Sequence, residues 1–383
     1  ADGKSAHGVY PEYGSIKYYP EGDSQHREVD HIDDWGVGRQ IVPEKLALTD
    51  YNFKKPRVDQ LNKDQAANNH AHSSSEYEIF DYPGEYEEPA DGGKYAKYRM
   101  QELAAQYERA TGGGNARGIA AGYLFSLTEF SRKDQNREYL VISVSHDIQS
   151  DEGTSTDVSG GGISYNCRFE VMPTTKPFRS PRNTPKPIVQ GPQTALVVGP
   201  DGEEIHCDEF GRIKVQFYWD RLGKKDQNSS CWVRISNAWA GKNWGSIHIP
   251  RIGHEVVVSF LEGDPDKPLV TGSVYNADNM PPYELAAHKT QSGIKSRSTK
   301  KGNKDNFNEI RFEDEKDKEE LRLQAERDMN VGVKHIRKTY IGAELDDEGE
   351  GNKSSTCPKI GEMNEQLTVF ADRETIIHGE DKL

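Results

Sequence analysis

The 383-residue chain is poor in cysteine: it has only Cys167, Cys207, Cys231 and Cys357, and no CxxC pair. That spacing argues against a zinc site and against a disulfide-rich secreted module, so the four read as free thiols of a protein made in the cytosol. No apolar run approaches the ~18 residues of a membrane span, and ADGKSAHGVYPEY at the start carries no basic-then-apolar leader. The chain does not begin with Met, so its true start is expected to lie upstream. A strongly basic segment is also lacking, and the net charge is −14, which argues against a phosphate-tracking surface and a nucleic-acid partner. GxSxG and HExxH are absent, and GGGNARG and SGGGIS lack the residues of a phosphate loop or dinucleotide fingerprint. The chain therefore offers no catalytic residue, cofactor site or metal site, and reads as a non-enzyme.

What is present is polar and rich in turns. Apolar residues make up 33% and charged residues 29%, with 36 glycines and 19 prolines. Such material favours short strands over long buried helices and leaves a thin core per chain. One helix is expected in KYAKYRMQELAAQYERATGGG, where Met100, Leu103, Tyr107 and Ala110 fall on one face and Gly112–Gly114 would end it. In REYLVISVSHDI, Leu140, Ile142, Val144 and Ile148 alternate as a half-buried strand, and SYNCRFEVMP is a second strand. Five prolines between Pro173 and Pro187 mark a stiff, extended linker and a domain boundary.

Residues 188–277 read as five or six short strands of a small barrel or sandwich. Ile213, Val215, Phe217 and Trp219 alternate in RIKVQFYW, followed by CWVRIS, GSIHIP, EVVVSFL and PLVTGSVY. The strand holding Val256, Val258 and Phe260 is apolar on both faces, so one face is expected to be covered by another subunit. After a polar linker at 278–305, NEIRFEDEKDKEELRLQAERDMNVGV predicts a hairpin. Ile310 and Phe312 would face Leu321 and Leu323 across Asp314–Lys318, and Met329, Val331 and Val333 would continue the alternation. VKHIRKTYIGAE, containing Ile341, and LTVFADRETIIHGED read as two copies of one β-rich unit, which implies stacking or intertwining because neither buries its own apolar face.

The acidic knot EGDPDK, Glu262–Lys267, is weighed as a carboxylate site or a turn, and the turn is favoured. Asp264 and Pro265 suit the first two positions of a type I turn, and Gly263 permits a positive φ. His70 and His72 sit in a polar loop, and the adjacent His206 and Cys207 would point to opposite strand faces, so neither pair is expected to bind metal. Trp219, Trp232, Trp239 and Trp244 fall within 26 residues and are expected to be barrel core rather than a stacking platform.

The block DEFGRIKVQFYWDR, followed by SSCWVRISNAWAGKNWGSIHIPRIGHEVVVSFLEGDPDKPLVTGSVYN, closely resembles the VgrG family, the spikes of bacterial type VI secretion systems. HIDDWGVGRQIVPEKLALTDYNFKKP resembles the end of the family's hub domain, and the hairpin at 308–333 resembles the lead-in to its needle. The resemblance covers nearly the whole chain. It departs from the family at Cys207, where Thr or Ser is expected, and in the irregular repeat over 341–366.

The resemblance implies a mainly β homotrimer with minor α content. The expected segments are the C-terminal part of a phage-hub-like domain over 1–172, the Pro-rich linker at 173–187 and an OB-fold over 188–277. A linker at 278–305 and the start of a triple-stranded intertwined β-helix over 306–383 follow. It implies a tube protein (Hcp) at the hub end, a tip protein or effectors at the needle end, and penetration of a target-cell membrane. Assembly would be cytoplasmic and followed by translocation. Trp219, Val256, Val258, Phe260, Gly263, Asp264, Pro265, Val331, Val333 and Ile341 are the expected structural and assembly residues. A prophage-like contractile tail, or a spike whose catalytic extension lies beyond Leu383, stays open as an alternative.

Overall fold

The computed structural model describes residues 3–20, 22, 29–65, 77–150, 163–338, 343–345 and 351–353. The chain divides into two compact units between Pro185 and Lys186. In the first unit the elements are β1 (Ser15–Lys17), β2 (Ile32–Arg39), β3 (Lys45–Leu48), β4 (Asn62–Gln65), β5 (Glu78–Asp81), α1 (Pro89–Ala104), β6 (Glu108–Gly114), β7 (Leu124–Thr128), β8 (Glu138–Ser150) and β9 (Ile163–Pro173). In the second they are β10 (Gln193–Val198), β11 (Lys214–Phe217), β12 (Arg234–Ile235), β13 (Trp239–Gly241), β14 (Trp244–Ser246), β15 (Glu255–Phe260), β16 (Pro268–Val274), β17 (Gln291–Lys295), β18 (Glu309–Glu313), β19 (Glu320–Gln324), β20 (Ala343–Leu345) and β21 (Gly351–Lys353).

The first unit is built on a six-stranded sheet, β1-β7-β8-β9-β6-β2. Trp35, Ala110, Phe125, Tyr139, Val141, Phe169 and Val171 pack on one face. The predicted helix starts at Pro89, whose missing N–H costs nothing at this position, and buries Ala96 and Met100 against Leu46, Leu48 and Tyr86. It stops at Ala104, short of the expected end. Tyr107 lies outside it, Ala110 faces a different core, and Gly112–Gly114 belong to β6. The physical reason is packing. A Cβ on Gly112 would lie 2.5 Å from the Phe169 ring and 3.1 Å from Trp35, so the glycine is a seat for two aromatic side chains rather than a helix stop.

β8 is not simply half-buried. Tyr139 and Val141 face the main core, while Leu140 and Ile142 pack with Ala105, Leu124 and Met172 on the other side. A bulge between Val141 and Ser143 shifts the phase by one residue, so Val144 returns to the main core face. Ile148, expected in the buried series, is 65% exposed.

The proline-rich segment after Pro173 has no regular structure, yet its first part is docked. Phe178 packs on the Leu140–Met172 cluster, Arg179 Nε donates to Gln101 Oε1 at 2.7 Å, and the Arg182 N–H donates to Glu102 Oε1 at 3.1 Å.

The second unit holds a five-stranded sheet, β11-β10-β15-β16-β12. Ile213 and Val233 exchange backbone hydrogen bonds of 3.0 and 2.8 Å, joining the two outer strands and closing the sheet into a barrel. Ala195, Val197, Ile213, Val215, Val233, Val256, Val258 and Val270 fill the interior, all 0–1% exposed. Small β-branched residues suit so narrow a barrel. Strand β10, between β11 and β15, was not among the predicted strands: in QTALVV the buried residues break strict alternation, so no period of two stands out.

Candidate assembly site

The acidic knot joins β15 to β16 and is a turn. The Lys267 N–H donates to the Asp264 carbonyl at 2.9 Å, the i to i+3 bond of the predicted type I turn, and Leu261 N–H donates to the Lys267 carbonyl at 3.0 Å. Asp264 is its pin. One carboxylate oxygen accepts the Asp266 N–H at 2.9 Å, and the other accepts from the Lys186 ammonium at 2.8 Å, with the side chain 8% exposed. Burial pushes the Asp264 carboxyl up. The Lys186 and Asp266 hydrogen bonds and the Lys186 and Lys267 charges outweigh it, and the net shift is below the ordinary carboxylate range. Gly263 sits at φ 71°, and a Cβ there would meet Ile188 at 2.7 Å, so both backbone and space require glycine. Pro265 is exposed on the turn. Among the described residues no group of three or more His, Cys, Asp or Glu is placed to hold a metal ion.

The assembly residues predicted on β15 all turn to the barrel core, Val256 and Val258 fully and Phe260 in part. Val256 and Val258 are 0% exposed, opposite Ala195 and Gln193 of β10, and belong to the barrel's own core. Phe260 is half-buried and stacks on Phe217 at 5.8 Å, and Phe217 stacks in turn on Trp219 at 5.3 Å and 12°. Trp219 is 68% exposed, with its indole N–H donating to Gln193 Oε1 at 2.8 Å.

The expectation that the tryptophans are barrel core is therefore corrected. Besides Trp219, Trp239 and Trp244 are exposed on the two-stranded ribbon β13–β14, edge-to-face at 4.8 Å. Trp232 is half-buried against His206 at 4.9 Å and beneath the Lys214 ammonium. The barrel interior is already filled by Ala195, Ile213 and six valines, which leaves the indoles outside it. Asn243 at φ 62° makes the ribbon's tight turn, and Gly245 lets the strands close, since a Cβ there would sit 2.4 Å from the Trp239 carbonyl oxygen.

The predicted hairpin is present with the predicted partners: Ile310 lies opposite Leu323 and Phe312 opposite Leu321. β17 adds a third strand, with Ile294 opposite Ile310. These apolar residues are exposed, from 45% at Phe312 to 61% at Leu321. Among the alternating residues, Glu309 is buried, and Arg311 pairs with Glu320 at 2.6 Å. The apolar side is thus the one left open. Met329, Val331 and Val333 continue as 61%, 59% and 51% exposed residues in a segment without strand pairing. Ile341, the second repeat copy, the His70–His72 pair and Cys357 lie outside the described residues. Cys167 is buried, and Cys207 and Cys231 are exposed free thiols.

Three family models match the chain in order. They are the phage tail baseplate hub (GPD) over residues 1–152, the type VI secretion system/phage-baseplate injector OB domain over 200–275, and the bacteriophage T4 gp5 C-terminal trimerisation domain over 292–383. The type VI secretion system spike protein VgrG1c of Pseudomonas aeruginosa is 48% identical over 342 residues, 89% of this chain and 47% of that protein. The actin cross-linking toxin VgrG1 of Vibrio cholerae is 40% identical over 302 residues, 79% of this chain and 27% of that protein. The chain thus spans about half the length, or less, of these curated relatives. A solved E. coli type VI secretion component, c3393, described as similar to the phage T4 tail proteins gp27 and gp5, aligns with TM-score 0.40 and 14% identity over 71% of this chain and 51% of that one. That likeness is too weak to bear on the assignment. With hub, injector barrel and trimerisation segments in the order of a spike, and nearly half its residues shared with P. aeruginosa spike proteins, the chain belongs to the VgrG family.

Proposed function

We propose that this chain is the hub, barrel and needle root of a type VI secretion spike and works as a homotrimer at the tip of the secretion tube. The observation that carries the reading is the open apolar side of the β17–β19 sheet, continued by Met329, Val331 and Val333. A three-stranded sheet leaving Ile294, Ile310, Phe312, Leu321 and Leu323 in water is incomplete as a monomer. Two further copies cover that side symmetrically, and the match of 292–383 to a trimerisation domain supports this count. In this reading 1–172 is the remaining hub, 173–187 a linker, 188–277 the OB-fold, 278–305 a second linker, and 306–383 the needle's beginning. Val333 would face the threefold axis, with Val331 and Ile341 as further assembly residues, while Trp219 and Phe260 extend an aromatic stack from the barrel to its surface. Tube protein would seat on the hub end, and a tip or cargo on the needle end. The polypeptide would assemble in the cytoplasm and then pass into the target cell, acting by assembly and penetration of its membrane without a catalytic step.

Light scattering tests the reading. The chain should give three times its 43.1 kDa mass, and a stable monomer at micromolar concentration overturns it.

A second reading has a specific observation behind it. One relative is named as an actin cross-linking toxin, and this chain covers 27% of it. A spike carrying a catalytic domain in the same polypeptide would show that activity in the full-length gene product and not in residues 1–383.

A further inference from the structure

Two cavities of about 380 and 460 Å³ lie in the first unit and share Arg39, at the end of edge strand β2. Arg39, Arg137 and Lys176 line the first, together with Glu108. Arg39, Arg109 and Arg179 line the second, together with Glu170. Lys176 and Arg179 have interactions of their own, which leaves three arginines, Arg39, Arg109 and Arg137, to two carboxylates in a chain whose net charge is −14.

The carboxylates are already shared or distant. Glu108 accepts from both Arg39, at 2.9 Å, and Arg137. Glu170 comes only to 3.8 Å of Arg109 Nε, beyond hydrogen-bond length. Arg109 Nη1 is buried without a hydrogen-bond partner among the described residues. Burial holds this guanidinium below its usual pKa, the mark of a desolvated and poorly compensated charge.

We propose that this cleft binds an acidic peptide segment of a partner protein, with side-chain carboxylates taken by Arg39 and Arg109. Guanidinium forks match planar carboxylates bidentately. Met172, Pro173, Ile142 and Phe178 supply apolar walls between the charges, which suits a peptide alternating acidic and apolar side chains.

Fluorescence anisotropy of a short labelled peptide alternating Glu with Leu, added to the 383-residue chain, tests the proposal. The Gln counterpart of the peptide and inorganic phosphate serve as controls. The Glu peptide should bind and the Gln peptide should not, and binding should weaken with added salt. Arg39→Glu should weaken the affinity by at least about tenfold. Glu170→Gln removes the competing carboxylate and should tighten binding several-fold with the melting curve unchanged. This second variant decides the matter even where Arg39→Glu disturbs folding. Equal binding of the Gln peptide, indifference to both variants, or displacement of the peptide by equimolar phosphate overturns the proposal.

Discussion

The Lys186 ammonium reaches the Asp264 carboxylate at 2.8 Å, tying the first residue of the second unit to the turn between β15 and β16. Two nearly adjacent aspartates in this turn therefore have different fates on mutation. Asp264→Ala leaves the Asp266 N–H and the Lys186 ammonium without their acceptor and should cost about 1–3 kcal/mol by denaturant unfolding. Asp266→Asn, on the exposed turn, should change stability by about 0.5 kcal/mol or less. Equal losses would mean that the pin is not Asp264.

The second unit should lose stability in acid in two stages. Burial, with Arg251 nearby, lowers the His254 pKa, so the unfolded chain takes up a proton first as pH falls below about 6.5. Stability present above that pH is lost as pH drops toward the depressed folded value. The carboxyls of Asp208 and Asp264 are also lowered in the fold. At Asp208 burial raises the pKa, and the Arg212 hydrogen bonds and charge outweigh it. Their contribution is full above about pH 4 and disappears as pH falls through their folded values. Urea titrations across pH 3–7 should show both stages. His254→Gln should remove the first, and Asp208→Asn should flatten the second.

Gly112→Ala tests the glycine seat in β6. The added methyl meets the Phe169 ring and Trp35 inside a packed core, and overpacking there should cost about 1–3 kcal/mol. Gly122→Ala, where nothing lies within 4 Å but φ is +85°, should fail through backbone strain instead. The two variants should differ in near-ultraviolet circular dichroism, since only Gly112→Ala moves aromatic rings.

Charge on the open side of β17–β19 should act on assembly. Leu323→Asp and Val333→Asp sit at 55% and 51% exposed positions, so the isolated chain should tolerate both. In a trimer each would bring carboxylates together at an apolar interface, at a cost of several kcal/mol or forced protonation. Sedimentation should show mass shifting toward monomer. A trimer unaffected by Val333→Asp would place residue 333 away from the threefold axis.

Features set by neighbours in sequence were legible. The pairing of Ile310 with Leu323 follows from alternation and one charged turn, and the Asp264–Pro265 turn follows from local backbone chemistry. Features set by distant residues were not. The spacing of Met100, Leu103, Tyr107 and Ala110 mimics one helix face, although a strand begins at Glu108, because Phe169 and Trp35 decide what Gly112 is for. Aromatic composition suggested a tryptophan core, but valine and isoleucine drawn from several separate strands fill the interior instead. The cleft around Arg39 and Arg109 draws on residues from several strands and the proline-rich segment, which no local window joins.

The Ile213–Val233 bridge has a mechanical consequence. An open sheet pulled at its margin unzips one hydrogen bond at a time, and each rupture needs little force. A ring of strands offers no margin at which to begin, so several bonds must shear together before any strand leaves. Resistance of this kind is governed by the height of an unfolding barrier rather than by equilibrium stability. A barrel with a modest valine core can therefore be brittle in urea and still slow to rupture under a sudden load.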